Sequence, residues 1–302
     1  MTRWLLTLAP LLAASVSVAE QRLPRPPRLP TSPRHFGRTL CPIQPGTSVA
    51  LEAGQVWAGV RDGVELEQIA VGFVAEASYR RLGLFLEAPL VFDRVRTEGV
   101  YGQGDASARG AGDLAFGARA WIRSFRLLGR RWELGSGLHV TAPTGGDRWV
   151  QPEAPLLSAP RHRLGPARWT TSVSPAVGGW IAPKLALQLE AGLVLHVVDD
   201  RNAPGFHNRW LFAAVGLAAA YRPLPWLTPL LALDTQLEMY GRQHSLRQLA
   251  FAMPAIRVAL WRRVAVDIGL RIPLTGETWD EHRLSLAVTV SLGLGPGGDD
   301  AW

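Results

Sequence analysis

The chain has 302 residues, of which 47% are hydrophobic and only 19% are charged, with 31 Gly, 23 Pro and one Cys. This composition excludes a disulfide-stapled miniprotein, a zinc-finger array and a charge-rich disordered chain. The charged fraction lies below the roughly 25% usual for soluble domains. The net charge of +7 comes from arginines and one lysine, Lys184. Such an arginine bias does not by itself indicate a nucleic-acid partner, and we expect none.

The first residues have the pattern of an export signal. Residues 1–19 carry Arg3 near the start, then an apolar stretch, and end on small residues up to Ala19. This pattern predicts a cleaved secretory signal peptide. Residues 20–46 are rich in Pro and Arg without apolar periodicity, which predicts an extended periplasmic tail. The tail is either a solvated lead-in or a basic arm that contacts anionic lipid or cell-wall polymer.

From residue 47 onward, apolar residues alternate with small or polar ones. In the last segment, Leu284, Leu286, Val288 and Val290 alternate with Ser285, Ala287 and Thr289. A period of two predicts β-strands rather than helices. Twelve such segments are predicted: 47–60, 64–79, 82–95, 112–125, 132–143, 169–181, 184–198, 210–222, 226–240, 247–260, 263–274 and 283–294.

The lengths of the strands and of their connections favour a membrane barrel over a soluble sandwich. Most segments exceed the five or six residues of a typical soluble strand and match the nine to eleven that a tilted transmembrane strand needs. Short links alternate with long ones such as 96–111 and 144–168. Short periplasmic turns and longer extracellular loops are typical of bacterial outer-membrane barrels. We therefore predict an all-β, up-and-down antiparallel barrel of about 12 strands over residues 47–294, followed by a C-terminal tail at 295–302.

Two short motifs resemble a known family. Gly110–Arg119 contains Gly-x-Gly-Asp-Leu, and Ala142–Gly145 contains Pro-Thr-Gly. Both are similar to signatures of an outer-membrane barrel family named after the meta-pathway of phenol degradation. The resemblance implies a porin-like barrel for small, often hydrophobic molecules, with Asp113 and Arg119 pointing into the lumen.

Strand parity predicts which charged side chains face inward. Nine acids and three arginines fall on that side, together with two histidines. The predicted lumen-lining residues are Glu52, Glu76, Glu87, Asp113, Arg119, Arg123, Glu133, His139, Glu190, His196, Asp234, Glu238, Asp267 and Arg271. An acidic lumen predicts a passive channel for small cationic or neutral solutes, and the resemblance implies hydrophobic ones as well. The alternative is that these charges pair and plug a non-conducting structural or envelope-assembly barrel.

No enzyme, cofactor or metal is predicted. Ser136 and His139 differ in parity on one strand, so they cannot act as a nucleophile and base pair. His196, Asp199 and nearby loop residues match no recognised metal spacing, and the glycines of 102–112 are interpreted as an outer loop. The expected location is the outer membrane of a Gram-negative bacterium. The expected partners are outer-membrane lipids and lipopolysaccharide, the barrel-assembly machinery and a small-molecule solute.

Overall fold

A computed structural model describes residues 47–60, 64–97, 104–145, 168–198, 209–240, 248–261, 264–275 and 284–293. The predicted signal peptide, the 20–46 tail and the 295–302 tail lie outside these ranges. Within them the secondary structure consists of thirteen β-strands. No helix in the described residues is long and apolar enough to cross a membrane.

The strands follow one another along the chain, and their bounds agree with the predicted segments to within two residues where a segment was predicted. They are β1 (Ser48–Val60), β2 (Val64–Tyr79), β3 (Leu82–Thr97), β4 (Gly104–Ala111), β5 (Leu114–Leu127), β6 (Arg130–Ala142), β7 (Arg168–Ala182), β8 (Leu185–Val198), β9 (Arg209–Tyr221), β10 (Leu227–Tyr240), β11 (Gln248–Trp261), β12 (Val264–Pro273) and β13 (Leu284–Gly293).

The sheet closes on itself because β1 pairs with both β2 and β13. Every pairing is antiparallel, and sequential strands are neighbours around the wall. Strands β4 and β5 share the same edge of β3: β4 pairs with Leu90–Thr97 and β5 with Leu82–Glu87. They therefore form one wall position, interrupted at Gly112 and Asp113. The prediction of a closed twelve-stranded antiparallel barrel is confirmed.

The segment 96–111 is the main correction to the predicted strands. It was expected to be an outer loop, yet β3 continues to Thr97 and Gly104–Ala111 forms β4. Its sequence, GDASARGA, lacks apolar alternation. That pattern is required only where one face meets lipid. Five of the eight residues of β4 pair with Asp93–Thr97 of β3, past Phe92, where the apolar belt described next ends.

An apolar belt encircles the outside of the wall. On β3 it begins at Leu82, which is 61% exposed, and ends at Phe92, which is 45% exposed; the next outward residue, Arg94, is charged. Ten residue steps at about 3.3 Å span roughly 33 Å along the strand, or about 25 Å along the axis of a barrel tilted by ~40°. That height matches the apolar band of a transmembrane barrel.

The two ends of the barrel differ in their connections. We call the end with the links at 80–81, 128–129, 183–184 and 222–226 the turn end. The opposite end, where 98–103, 146–167, 199–208 and 241–247 connect strands, is called the long-loop end. The position of an inward residue along its strand therefore gives its distance from the turn end and from the long-loop end.

Candidate channel interior

The inward face carries most of the acidic side chains of the barrel. Directly opposed residues of paired strands point to the same side of the sheet, so the register separates the inward row from the exposed apolar row. Eight predicted acids lie on the inward row and are at most 7% exposed: Glu52, Glu76, Glu87, Glu133, Glu190, Asp234, Glu238 and Asp267. Asp113, at the long-loop end, is half-buried.

Arg119 forms a buried ion pair near the turn end. Its Nη1 lies 2.7 Å from Oε2 of Glu76, and the two side chains are 6% and 5% exposed. The guanidinium carbon lies 4.7 Å above the ring of Phe85, on the strand between them. The Phe85 ring in turn covers Gly117, where an added Cβ would come within 2.6 Å of the ring. A glycine therefore lets the aromatic ring lie flat under the arginine.

Arg257 and Asp267 form a second inward ion pair that parity alone did not reveal. Nε and Nη2 of Arg257 donate to the two carboxylate oxygens of Asp267 at 2.6 and 2.9 Å. The two residues are directly opposed on β11 and β12. Counting outward from the predicted link at 261–262 would have opposed Arg257 to Val266, and the register of the strands, with its shift between Ala259 and Trp261, opposes it to Asp267 instead.

The middle of the interior contains a carboxylate on each side of a glycine. Glu190 and Asp234 are both directly opposed to Gly216 of β9. They are 1% and 3% exposed, and Nε2 of Gln236 donates to Oδ2 of Asp234 at 3.3 Å. Gly216, the residue between the two acids, contributes no side chain to the space between them.

Aromatic and apolar side chains cover part of the same wall. The inward row of β9 runs from Trp210 and Phe212 through alanines to Ala220 without a charged residue. Phe212 is 0% exposed and packs edge-on against His196, with ring centroids 5.5 Å apart. His196 Nδ1 lies 2.9 Å from Oγ1 of Thr170. This histidine is therefore part of a packed interior at the long-loop end.

Two other predicted residues, His139 and Arg271, also lie on the inward row. His139 stacks on Phe85 with ring centroids 5.6 Å apart. Arg271 is 5% exposed, and its guanidinium carbon is 3.4 Å from the ring centre of Phe251. Glu133 lies 3.4 Å from Nη2 of Arg131. Cations on this face thus rest on aromatic rings or pair with acids.

Arg123 is a correction. Parity predicted it in the lumen, but the β5–β6 register shifts between Trp121 and Arg123. After the shift Arg123 opposes Leu134, which lies on the outward row, and its side chain is exposed. A β-bulge adds one residue to one strand and so reverses the side to which later residues point. Arg123 therefore faces outward at the turn end.

The two family motifs meet at the long-loop end, where β4 gives way to β5. Asp113 Oδ1 accepts a hydrogen bond from the Gly145 amide at 2.9 Å, and the Leu114 amide donates to Thr144 Oγ1 at 2.8 Å. The Thr144 hydroxyl also donates to the Gly112 carbonyl at 3.4 Å. The acid, predicted to line the lumen, here caps the chain that leaves β6.

The described interior carries more acids than cations. Eight buried carboxylates face Arg119, Arg257 and Arg271, with Arg131 at the rim. Among the described residues no group of three or more His, Cys, Asp or Glu side chains is arranged to hold a metal ion. Ser136 and His139 lie on opposite faces of β6, since Ser136 opposes the outward Pro175 and His139 opposes the inward Gly117.

Comparison with known proteins relates the fold to outer-membrane barrels. No family model matches the sequence, and no curated protein matches it either. A solved COG4313 outer membrane channel from Pseudomonas putida F1 is similar, with a TM-score of 0.59 and 17% identity over 87% of this chain and 99% of that one. The NanC porin gives a TM-score of 0.47 and 9% identity over 82% of this chain and 100% of that one.

The likeness to the Pseudomonas putida structure shows a shared barrel fold. Neither of these two structures carries the phenol meta-pathway name, so that finer resemblance stays a prediction.

Proposed function

We propose that the protein is an outer-membrane β-barrel that acts as a passive channel for small solutes, with a preference for cationic or neutral ones over anions. The observation that carries the proposal is the excess of buried acids on the inward face of a closed barrel whose outer face is apolar. Rings of carboxylates favour cations in pores because they replace part of the hydration shell and repel anions. The channel named in the similar Pseudomonas putida structure is consistent with this role.

The carboxylates on either side of Gly216 are the proposed selectivity element. Strands are about 4.8 Å apart, so the backbones of β8 and β10 at this level are separated by roughly 10 Å. Glu190 and Asp234 project from those backbones into the middle of the interior. A small cation passing over Gly216 would meet both acids, while the apolar inward row of β9 offers contact for an uncharged or hydrophobic part of a solute.

Reversal potentials across a planar bilayer test this function. The purified full chain in a tenfold KCl gradient is expected to give a cation-selective potential. The variant Glu190→Gln with Asp234→Asn should lower the potassium-to-chloride permeability ratio several-fold. Glu67→Gln is the matched control, because Glu67 lies on the outward row bonded to Gln55, and it should leave the ratio unchanged. Anion selectivity of the parent protein would contradict the proposal.

The packed interior favours a second candidate, a non-conducting structural barrel. Glu52, Phe212 and Ala232 on the inward face are fully buried, and buried ion pairs link strands of the wall. In this case the inserted barrel would give no conductance while retaining its β-sheet circular dichroism. The same bilayer recording therefore separates the two functions.

A further inference from the structure

Six arginines cluster at the turn end on two adjacent hairpins. The β2–β3 turn and the β5–β6 hairpin are neighbours because β3 pairs with β5. The cluster, called the arginine patch below, consists of Arg80, Arg81, Arg123, Arg126, Arg130 and Arg131. Arg126 and Arg131 oppose each other on the inward row, at the rim of the barrel. Arg123 and Arg130 lie on the outward row, Arg80 and Arg81 lie in the turn, and all four are exposed.

The patch is held together across the two hairpins. The Trp121 amide donates to the Arg81 carbonyl at 2.8 Å, and Arg81 Nη1 donates to the Ile122 carbonyl at 3.3 Å. The Arg81 guanidinium carbon also lies 4.8 Å from the centre of the Trp121 ring. These contacts fix the two turns relative to each other, so the positive charges are concentrated at one side of the barrel.

The bulge in β5 adds Arg123 to this surface. Without the register shift between Trp121 and Arg123, the side chain would point into the barrel. Bulges often re-aim a side chain where the wall meets a functional surface. Here the result is an exposed guanidinium beside the outward apolar row, next to Ile122, which is 44% exposed.

The described surroundings of the patch are apolar and contain no exposed acid. Tyr79, Leu82 and Leu128 are 72%, 61% and 90% exposed. In the described residues of the turn end the nearest acids are Glu76 and Glu133, which are buried on the inward face. Positive charge therefore borders directly on the edge of the apolar belt, at the depth of lipid headgroups and glycerol.

We infer that the arginine patch binds anionic phospholipid headgroups of the leaflet at the turn end. Guanidinium groups bind phosphate oxygens through paired N–H donors, and the exposed leucines and Tyr79 offer contact for the upper acyl chains. The inference rests on the membrane placement in the proposed function but not on conductance. A lipid fits better than a soluble acid because the patch continues into the apolar belt.

The test uses the full chain reconstituted in mixed phosphatidylcholine and phosphatidylglycerol vesicles. Electron paramagnetic resonance of spin-labelled lipids gives the relative association of each lipid with the barrel. At low salt we expect a preference for phosphatidylglycerol of roughly fivefold, since one basic residue at an anionic surface contributes about 1 kcal/mol. The preference should weaken as salt shortens the range of the charges.

A charge-matched pair of variants locates the effect. The triple variant Arg80→Gln, Arg123→Gln and Arg130→Gln should lower the preference for phosphatidylglycerol towards one, with Arg81 as the remaining exposed charge on the outward side. The control, Arg94→Gln, Arg109→Gln and Arg209→Gln, removes three exposed arginines from the long-loop end and should retain it. Circular dichroism and insertion into vesicles show that both variants fold.

Three results would overturn the inference. They are no lipid preference in the parent, an equal loss in the control variant, and a preference abolished by inorganic phosphate but not by chloride of equal ionic strength. The last would identify a general phosphate-anion site rather than a lipid site. The failure of this inference is distinguishable from that of the proposed function, because conductance is recorded on the same preparations and does not depend on lipid preference.

Discussion

The turn-end half and the long-loop end of the barrel use polar groups in different ways. In the turn-end half, charged side chains link strands inside the wall, as in the Arg119–Glu76 and Arg257–Asp267 pairs. At the long-loop end the described contacts are mostly caps and single hydrogen bonds, such as Asp113 to the Gly145 amide and Thr170 to His196. We expect the stability of the turn-end half to depend on ion pairs, and that of the long-loop end to depend on individual hydrogen bonds.

This difference has a consequence for stability. Removing one partner of a buried ion pair leaves an uncompensated charge and costs much more than losing one ordinary hydrogen bond. Substitutions near the turn end should therefore have larger effects on unfolding than equivalent substitutions near the long-loop end. The predictions below follow this order.

Arg119→Ala is expected to have the largest effect. It leaves Glu76 buried without its guanidinium partner, and we expect a loss of about 3–5 kcal/mol in the free energy of unfolding. Urea unfolding of the reconstituted barrel, followed by tryptophan fluorescence, measures it. The double variant Glu76→Leu with Arg119→Met removes both charges and should be close to neutral. If the single variant were no less stable than the double one, the ion pair would not be important for the turn-end half.

Gly117→Ala should have a smaller but clear effect. The new Cβ would meet the Phe85 ring and the Leu138 carbonyl, and overpacking of this kind costs about 1–3 kcal/mol. Gly129→Ala is the matched control at the nearby turn. An added Cβ there meets no atom within 4 Å, but φ is +71°, so we expect only the backbone cost of about 1 kcal/mol. Equal losses of unfolding free energy in the two variants would show that the space under the Phe85 ring can accommodate a Cβ at position 117.

Asp113→Ala tests the cap at the long-loop end. It removes one acceptor from the Gly145 amide, and a hydrogen bond of this type contributes about 1 kcal/mol. We expect hydrogen exchange at Gly145 to accelerate roughly fivefold, which corresponds to that energy. Asp113→Asn keeps a side-chain oxygen, so its exchange rate at Gly145 should lie between those of the parent protein and Asp113→Ala. A global loss as large as that of Arg119→Ala would remove the difference between the two halves.

Much of the wall was predictable because lipid on one side imposes a period of two. Strands such as β8 and β13 show it along their whole length, and their bounds were predicted to within one residue. Strand β4 was missed because most of it lies beyond the apolar belt, where that constraint is absent. The side chains of the interior were harder to predict. The alternation of inward and outward residues is counted along a strand, and a single inserted residue reverses the direction of every residue after it. Arg123 shows this effect.

Pairing information would have improved the prediction of the interior. The Arg257–Asp267 pair needs the position of the turn as well as the parity of each strand. The Arg119–Glu76 pair spans an intervening strand and depends on Phe85 lying flat over Gly117. Such contacts depend on three-dimensional packing that one strand's sequence does not contain.

Thr289→Val and Thr170→Val form the last and smallest test. Thr289 is 4% exposed between Glu52 and Asp267 in the register, and within the described residues its hydroxyl has no hydrogen-bond partner. Thr170 instead bonds to His196. Replacing a buried hydroxyl without a partner by a methyl group is neutral or slightly stabilising, whereas breaking a bond costs about 1 kcal/mol. Urea unfolding should therefore rank Thr289→Val at or above the parent and Thr170→Val below it. If Thr289→Val were less stable than Thr170→Val, single hydroxyl contacts would also stabilise the turn-end half. The two halves would then differ only in their ion pairs.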